Sequence, residues 1–405
     1  MKILDGIRVL ELGVFGQAPL AASMLGDLGA DVIKIEHPVT GDLVRATAKQ
    51  WGSQRQIEVD GKPFHLDIDM MNRSKRGITL DVGKPKGQEI AFRLLKTCDV
   101  FISNLRRASV EDRWGFTYER MKQVNPRIIR LLTNGVGRDG PEAGLPAFDP
   151  VGMARSGFML AASPPGTEPR YPIGAFADMQ AAEINVIAVL AALLARERHG
   201  FGQDIATSQF GSMLWFQQLN VYTTLVTGKQ YVKLPRYETN TPINLEYRCG
   251  DGKWIFIGGA QPQYWEPFCG AVGRPDLISD PRFLTPSLRA DNARDLILLL
   301  EALFLTKARD HWIDALSRAD VVHAPINEMQ EAVLDEQARI NGYIVDVDHP
   351  VLGQIKGNGF PIQFSETPFE LKRVAPQKGQ HTDEVLREIG YSEDEIKALR
   401  VDGII

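Results

Sequence analysis

The sequence predicts an α/β protein with a parallel sheet and a second, smaller α+β domain. A strand pattern at 7–12 (IRVLEL), a helix pattern at 18–30 that ends at Gly29, and a second strand pattern at 31–36 (DVIKIE) form a β-α-β unit. Strands joined by a helical crossover run parallel, which indicates a parallel sheet. The 405 residues also exceed what one hydrophobic core usually serves, so either two domains or one elaborated α/β domain is expected.

The same alternation continues through the first half of the chain. Further strand and helix patterns occur at 76–82, 86–98, 99–104, 118–123 and 127–134. A stretch rich in glycine and proline follows at 134–150, and a long apolar helix then extends from Met179 to about Arg198. This order is typical of a sheet with helices packed on its faces.

The pattern changes after residue 220. The segment 244–260 indicates an antiparallel hairpin that turns at Asp251-Gly252, and 295–319 contains two amphipathic helices. We therefore place the large domain at 1–224 and the small α+β domain at 225–325. Residues 326–405 are expected to return to the large domain as short helices.

Composition argues against several classes of partner. The net charge of −5 and the absence of a basic tract give no reason to expect nucleic acid as a partner. The three cysteines are far apart, which favours free thiols in a reducing compartment. The N-terminus runs directly into a strand pattern, and the most apolar run, 186–195, is shorter than the roughly 20 residues of a membrane span. We expect a cytoplasmic protein without a membrane segment.

The sequence lacks complete motifs for cofactor or metal binding. GVGRDG at 135–140 satisfies G-x-G-x-x-G, but PEAGLP follows it, so no helix can begin in time to bind a pyrophosphate. No G-x-S-x-G or H-E-x-x-H motif occurs, and the seven histidines are scattered. The sequence predicts no metal site and no permanently bound cofactor.

One ionisable residue, Asp178, stands at the start of the long apolar helix. Aspartate is a favoured N-cap, where its carboxylate stabilises a helix by about 1 kcal/mol. The small, apolar segment 171–178 (YPIGAFAD) instead favours a buried position that a bulky ligand can approach. A carboxylate desolvated there without a strong cation is a competent nucleophile. The residues alone leave both interpretations open.

The motifs around Asp178 resemble those of the family III CoA-transferases, the group of formyl-CoA transferase and carnitine CoA-transferase. The helix after Asp178 and the segment 192–214 resemble the signature of that family. Other blocks match in order: LDGIRVLELG, LGADVIKIEHP, NRSKRGITLDV, NPRIIR, DPRF, HAPINEM and GQHTDEVLREIGYSEDEI. The resemblance implies a Rossmann-like large domain built from both chain ends, a small domain, and an interlocked dimer.

The resemblance also implies roles for individual residues, with CoA as a substrate. Asp178 matches the catalytic nucleophile. Arg113 matches an arginine that contacts CoA phosphate, and His37 stands where many relatives place an arginine beside the adenine. The other positions expected to contact CoA are Gly16, Gln17, Leu80, Asp81, Val82, Asn104, Leu105, Phe148 and Asp149.

The implied reaction moves CoA from an acyl-CoA donor, such as succinyl-CoA, to a carboxylic acid. It passes through an aspartyl anhydride and an aspartyl-CoA thioester, which divide one difficult displacement into easier ones. The segment 234–247 resembles branches that handle aryl-substituted, 2-hydroxy or dicarboxylic acids. There Arg236 and Asn240 are expected to contact the acid.

Two alternatives stay open. The α-methylacyl-CoA racemases resemble this chain, but they carry Gly-His-Asp where it has Ala147-Phe148-Asp149. A racemase needs an acid/base group on each side of the carbon, and Phe148 removes one of them. The second alternative is a non-catalytic subunit beside a paralogous partner. Either a homodimer or a hetero-oligomer is therefore expected.

Overall fold

The computed structural model describes residues 2–46, 49–50, 53–105, 110, 113–164, 166–229, 234–259, 261–371 and 373–405. The chain divides into two compact units. The first comprises Met1–Ser163, Glu168–Tyr231 and Val345–Ile405, and the second comprises Pro164–Thr167 and Val232–Ile344. Both ends of the chain therefore belong to the first unit.

The strands alternate with helices in the first unit and cluster in the second. In chain order they are β1 (Arg8–Leu12), β2 (Asp31–Glu36), β3 (Lys49–Gln50), β4 (Ser53–Gln54), β5 (Gln56–Val59), β6 (Lys62–His65), β7 (Lys75–Thr79), β8 (Val100–Ser103), β9 (Ile129–Asn134), β10 (Asp204–Ser208), β11 (Asn244–Arg248), β12 (Trp254–Gly258), β13 (His323–Ile326), β14 (Ile344–His349) and β15 (Gly353–Asn358).

The helices vary from single turns to one of 24 residues. In chain order they are α1 (Gln17–Asp27), α2 (Leu66–Asn72), α3 (Pro85–Leu95), α4 (Tyr118–Val124), α5 (Asp149–Arg155), α6 (Phe158–Ala161), α7 (Phe176–His199), α8 (Gln209–Phe216), α9 (Gln218–Thr227), α10 (Trp265–Ala271), α11 (Pro286–Asp291), α12 (Ala293–Phe304), α13 (Arg309–Arg318), α14 (Met329–Ala332), α15 (Glu336–Ile340), α16 (Thr382–Glu388) and α17 (Glu393–Val401).

The predicted α/β class is confirmed. Six strands form a parallel sheet in the order β10-β9-β8-β1-β2-β7. The first β-α-β unit occurs as predicted, although α1 ends at Asp27, before Gly29. Side chains alternate between the two faces of this sheet. Leu10 and Ile33 pack in one cluster with the C-terminal helices α16 and α17, whereas Val9 and Val32 pack in another with α1 and α7.

The described residues of the second unit contain a three-stranded antiparallel sheet, β11-β12-β13, and the helices α10 to α15. The hairpin predicted at Asp251-Gly252 is present as β11 and β12. Tyr247, Phe268 and Phe304 are among the side chains fully buried in its core.

The predicted domain boundaries at 225 and 325 differ from the division between the units. Residue 225 lies within α9 in the first unit, and residue 325 lies within β13, which pairs with β12. The sequence HAPI of β13 contains Pro325, and proline within a short apolar run argues against a strand. β13 is an edge strand of its sheet, where proline is tolerated, and the second unit continues past it to Ile344.

Among the described residues, one helix, α7, is long and apolar enough to cross a membrane by length and composition alone. Its 24 residues exceed the apolar run recognised in the sequence. One side of α7, with Val189, Ala192 and Leu193, packs in the sheet core. A core helix passes the same length and composition test, so the feature is weak evidence for a membrane span.

Candidate functional site

The strand order of the parallel sheet reverses between β1 and β8. The chain places β2 and β7 on one side, returns to β8 beside β1, and continues outward through β9 and β10. In open parallel sheets, ligands bind at the carboxyl ends of the strands where the order reverses. The loops after β1 and β8 are joined there, because Asn104 Nδ2 donates to the Val14 carbonyl at 2.7 Å and Asn104 Oδ1 accepts from the Val14 N–H at 3.0 Å.

A cleft of about 710 Å³, its open mouth included, lies at this edge. Its walls come from the segments that follow β1, β8 and β9 and from the first turns of α7 and α8. Asp178 is the only charged side chain among the described residues that line it. These residues are Val14, Phe15, Gly16, Gln17, Leu43, Asn104, Asn134, Gly135, Leu145, Ala147, Phe148, Asp178 and Gln209.

Asp178 is not the N-cap of its helix. Helix α7 begins at Phe176 and not at Met179, so Asp178 lies in the first turn. The capping carboxylate belongs to Asp149, whose Oδ1 accepts from the Ala177 N–H at 2.6 Å and from the Asp178 N–H at 3.0 Å. Because a residue of α5 caps α7, the Asp178 side chain is free to make other contacts.

Two hydrogen bonds and one close contact hold the Asp178 carboxylate. Gln209 Nε2 donates to Asp178 Oδ1 at 2.7 Å, and the Gln17 backbone N–H donates to the same carboxylate. A Cβ on Gly16 would stand 2.2 Å from Asp178 Oδ2, so only glycine leaves room for the carboxylate. The N-terminal ends of α1, α7 and α8 thus meet at this group. Their partial positive charge favours an anion or a developing oxyanion.

Burial raises the pKa of Asp178 to about 6. The hydrogen bond from Gln209 lowers the pKa, the charge of Asp149 raises it, and the Gln17 N–H lowers it. Desolvation is therefore the largest of the effects on the pKa of this carboxyl. A carboxyl of pKa 6 is still about nine-tenths ionised at pH 7, and it is more basic than an ordinary aspartate.

A fully buried ionic cluster lies beneath the turn after β1. Lys34 Nζ is 2.8 Å from Glu11 Oε1 and 3.0 Å from Asp42 Oδ2, and it donates to the Gly13 carbonyl at 2.8 Å. Asp42 Oδ1 accepts in turn from the Phe15 N–H at 3.2 Å. Burial lowers the pKa of Lys34, but the two carboxylates outweigh it and raise the pKa. The charged cluster therefore fixes the turn that leads into α1.

Several residues expected to contact CoA line the cleft with Asp178: Gly16, Gln17, Asn104 and Phe148. The Phe148 side chain is 59% exposed and meets the Phe15 ring edge-on, with centroids 5.3 Å apart. Asp149 was expected beside them but does not line the cleft. It is buried, and both of its oxygens are used by α7 and by the Tyr171 hydroxyl, which donates to Asp149 Oδ2 at 2.9 Å. These bonds indicate that Asp149 positions the start of α7, and its contact with CoA stays a prediction.

The remaining residues expected to contact CoA do not line the cleft. His37 and Asp81 lie just beyond the carboxyl ends of β2 and β7, with His37 Nε2 3.9 Å from Asp81 Oδ1. Leu80 and Val82 point into the core, which leaves only their backbone for a ligand. The Leu105 N–H donates to Ser103 Oγ at 3.1 Å. Arg113 is exposed. Contact of these residues with CoA stays a prediction.

Arg236 does not present a free guanidinium to a substrate. Its Nε is 2.8 Å from Glu301 Oε1, and its Nη1 is 3.2 Å from Glu246 Oε1, both within the second unit. The sequence could not show these partners because they lie 10 and 65 positions away. The two ion pairs indicate a structural role for Arg236, and its contact with the acid stays a prediction. Asn240 is exposed in the same unit, and its contact with the acid stays a prediction.

Sequence reasoning missed Gln209 and Tyr171. Gln209 directly follows β10, at the same carboxyl edge of the sheet as the segments after β1 and β8. A strand pattern at 204–208 followed by a polar residue could have revealed it. Tyr171 gave no such signal, because its role depends on Asp149, which is distant in sequence.

The described residues contain no group of three or more His, Cys, Asp or Glu side chains that could hold a metal ion. Cys98, Cys249 and Cys269 are free and buried. Of the groups described in the cleft, Asp178 is thus the one with nucleophilic character.

Comparison with known proteins gives consistent matches over the whole chain. A family model described as CoA-transferase family III matches residues 4–382. The (R)-2-hydroxy-4-methylpentanoate CoA-transferase of Clostridioides difficile is 30% identical, over 100% of this chain and 99% of that protein. The formyl-CoA:oxalate CoA-transferase of Rhodopseudomonas palustris is 30% identical, over 100% and 97%. The succinyl-CoA:glutarate CoA-transferase of Mus musculus is 29% identical, over 100% and 91%.

A solved structure shares the fold. A CaiB/BaiF family protein from Brucella suis superposes with a TM-score of 0.85 at 30% identity, covering 96% of this chain and 99% of that one. A Mycobacterium tuberculosis protein superposes with a TM-score of 0.80 at 24% identity, covering 95% and 98%. The cleft and its aspartate therefore lie in a fold that is shared over almost the whole chain.

Proposed function

The chain belongs to CoA-transferase family III, and we propose that it moves CoA from an acyl-CoA donor to a carboxylic acid with Asp178 as the nucleophile. The family match confirms the resemblance inferred from the motifs. One observation carries the assignment of Asp178. Its carboxylate is desolvated, and this burial raises its pKa to about 6. Asp149 caps the helix in its place, and no cationic side chain lines the described part of the cleft.

The proposed reaction proceeds through two covalent intermediates. Asp178 attacks the acyl carbonyl, which forms an aspartyl-acyl anhydride and expels CoA thiolate. The thiolate attacks the aspartyl carbonyl, which forms an aspartyl-CoA thioester and releases the donor acid. The incoming carboxylate then repeats these steps in reverse. The apolar mouth of the cleft supports this scheme, because both intermediates hydrolyse when water reaches them.

We further propose that the acyl groups are apolar, as in 2-hydroxy or aryl-substituted acids, in preference to dicarboxylates. Val14, Phe15, Leu145 and Phe148 offer apolar contact surface, and no Lys, Arg or His lines the described part of the cleft. Arg236, the residue expected to bind a second carboxylate, already pairs with two glutamates. A panel of acyl-CoA donors and acids tests this. Higher kcat/KM for oxalate or glutarate than for 2-hydroxy-4-methylpentanoate or phenyllactate would contradict it.

We also propose the interlocked dimer that the family resemblance implies. No residue of α9 is buried, and Leu219, Tyr222 and Val226 are each more than 65% exposed at helical spacings of three and four. Trp215, at the end of α8, is 61% exposed. Such an apolar surface is typical of an interface. Sedimentation equilibrium at micromolar concentration should give twice the 45.0 kDa chain mass. A monomer would contradict this, and a requirement for a paralogous chain would replace the homodimer by a hetero-oligomer.

The buried free cysteines support a cytoplasmic location. Cys98 has its thiol in the core of the first unit, and burial raises its pKa to about 12. Free thiols are typical of proteins in reducing compartments. Localisation of the tagged protein by cell fractionation tests the proposal.

The deciding experiment for the transferase mechanism uses acyl-CoA without an acceptor acid. The parent enzyme should accumulate an adduct with the mass of CoA less water, and hydroxylamine should remove it. Peptide mapping should locate the adduct between residues 171 and 196. Asp178→Asn should form no adduct and lose transfer, whereas Asp394→Asn, an exposed first-turn aspartate of α17, should behave as the parent.

Two outcomes would contradict this mechanism. Transfer by Asp178→Asn at close to the parent rate would show that Asp178 is not the nucleophile. Solvent deuterium entering the α-carbon of the acyl group without an acceptor acid, and without adduct, would indicate the racemase reaction in its place.

A further inference from the structure

The polar side chain that contacts the Asp178 carboxylate has no part in the steps proposed so far. Gln209, the first residue of α8, is 2% exposed and lines the cleft. Its Nε2 donates to Asp178 Oδ1 at 2.7 Å. Its Oε1 is buried and has no hydrogen-bond partner among the described residues. A buried acceptor without a partner costs about 1–3 kcal/mol, so this orientation of the amide needs an explanation.

The surroundings hold Gln209 in place. A Cβ on Gly152 would stand 2.8 Å from the Gln209 Cβ, so glycine at 152 lets α5 pack directly against this side chain. The neighbouring Phe210 N–H donates to the Gly135 carbonyl at 3.0 Å, which fixes the start of α8. A donor held on packed helices needs no reorganisation during a reaction, and such donors stabilise a developing charge most effectively.

We propose that Gln209 is a catalytic residue whose Nε2–H stabilises the oxyanion formed on Asp178 Oδ1 each time the aspartyl carbonyl is attacked. This inference rests on the proposed function. In the first step Asp178 Oδ2 bonds to the acyl carbon, the CoA sulfur leaves with the pair of the C–S bond, and Oδ1 becomes the aspartyl carbonyl oxygen. Gln209 remains bonded to that oxygen.

The second step places charge on the same atom. The thiolate sulfur bonds to the Asp178 Cγ, and the π pair of the carbonyl moves onto Oδ1. When the carbonyl re-forms, the bond from Cγ to Oδ2 breaks, and the donor acid leaves as a carboxylate that carries Oδ2. Attack by the acceptor carboxylate on the thioester charges Oδ1 in the same way. The Gln17 backbone N–H is the second donor to this carboxylate.

A donor to Oδ1 affects the two steps differently. In the first step charge leaves the aspartate, so the hydrogen bond from Gln209 gives no advantage. In the second step charge develops on Oδ1, so the hydrogen bond strengthens in the transition state. Loss of one such donor typically slows the step by about 10²–10³-fold. A residue that merely positioned Asp178 would slow both steps together.

The test compares Gln209→Met with Gln217→Met. Gln217 is also a buried glutamine of this helix region, but its Nε2 donates to the carbonyls of Ser156 and Met213. Each protein is mixed with acyl-CoA, quenched over a time course and analysed by intact mass. Gln209→Met should form the acyl adduct at the parent rate and convert it to the CoA adduct about 100-fold more slowly. Gln217→Met should retain the parent ratio of adducts.

A second variant covers a failure of Gln209→Met to fold. Gln209→Leu removes the donor with a different apolar side chain and adds no charge beside Asp178, and it should give the same excess of acyl adduct. The parent ratio in either folded Gln209 variant, or equal slowing of both steps, would overturn the assignment of Gln209. Absence of any adduct in the parent enzyme would instead reject the proposed function.

Discussion

Replacement of Asp178 by asparagine should stabilise the protein while it abolishes transfer. Burial raises the pKa of the Asp178 carboxyl from 3.8 to about 6, so the folded protein binds this proton more tightly than the unfolded chain does. Above pH 6 the carboxylate is ionised in both states, and its ionisation destabilises the folded state. Asparagine is never ionised and can still accept the hydrogen bond from Gln209 through its Oδ1.

The magnitude follows from the pKa difference. A shift of about 2 units corresponds to about 3 kcal/mol at 1.36 kcal/mol per unit, and we expect a gain of about 2–3 kcal/mol because the side chain is partly exposed to the cleft. The sign is fixed by the direction of the shift. The gain should be complete above pH 7, decrease as the pH falls through 6, and vanish below about 4, where aspartate is protonated in both states.

Urea unfolding of the parent and Asp178→Asn between pH 4 and pH 8 measures this difference. The exposed control Asp394→Asn should change the free energy of unfolding by less than about 0.5 kcal/mol. If Asp178→Asn is less stable than the parent at pH 8, or if its gain persists at pH 4, the carboxylate is not held in a desolvated, destabilised state. Desolvation would then not be the source of the reactivity proposed for Asp178.

Four other substitutions separate binding, chemistry and stability. Gly16→Ala should reduce transfer by about 100-fold with little change in Tm, because its Cβ displaces the Asp178 carboxylate. Asp149→Asn should move the acid limb of the kcat/KM profile to lower pH, because it removes a charge that raises the pKa of Asp178. Arg236→Met should lower unfolding stability by about 1–3 kcal/mol and leave KM for the acid unchanged. Arg113→Ala should raise KM for acyl-CoA more than it lowers kcat; the reverse pattern would show that Arg113 does not bind CoA.

Local patterns were sufficient for the parallel sheet but not for the ends of its elements. The strand at 31–36 and the strand at 129–134 are buried on both faces, so their apolar runs are visible in the sequence. The start of α7 is not visible, because Ala175 adopts a left-handed φ of 52° that alanine rarely favours. Two N–H groups bonded to Asp149 hold that start in place. This tertiary contact overrides the backbone preference of Ala175, so the local sequence does not predict where α7 begins.

The sequence predicts one residue of the candidate site, Asp178, better than it predicts the residues around it. The sequence marks Asp178 as the candidate nucleophile from its position and motif, but an aspartate at a helix start caps the helix in most proteins. What distinguishes this one is its surroundings: Gly16 leaves room for the carboxylate and Gln209 holds one of its oxygens. These residues lie at the ends of separate strands and meet only when the sheet forms. The position of each residue after a strand is visible in the sequence, but the contacts of these residues with Asp178 are not.

The two carboxylates at the start of α7 explain how an aspartate in a first turn remains reactive. An aspartate that caps its own helix accepts hydrogen bonds that lower its pKa and reduce its nucleophilicity. Here Asp149 accepts the N–H bonds of Ala177 and Asp178, and its charge raises the pKa of Asp178. The Tyr171 hydroxyl, in turn, donates to Asp149 and helps to hold its negative charge in a buried position. In the proposed mechanism, capping and nucleophilic attack therefore belong to different carboxylates, and the helix can be stable without using the carboxylate of Asp178.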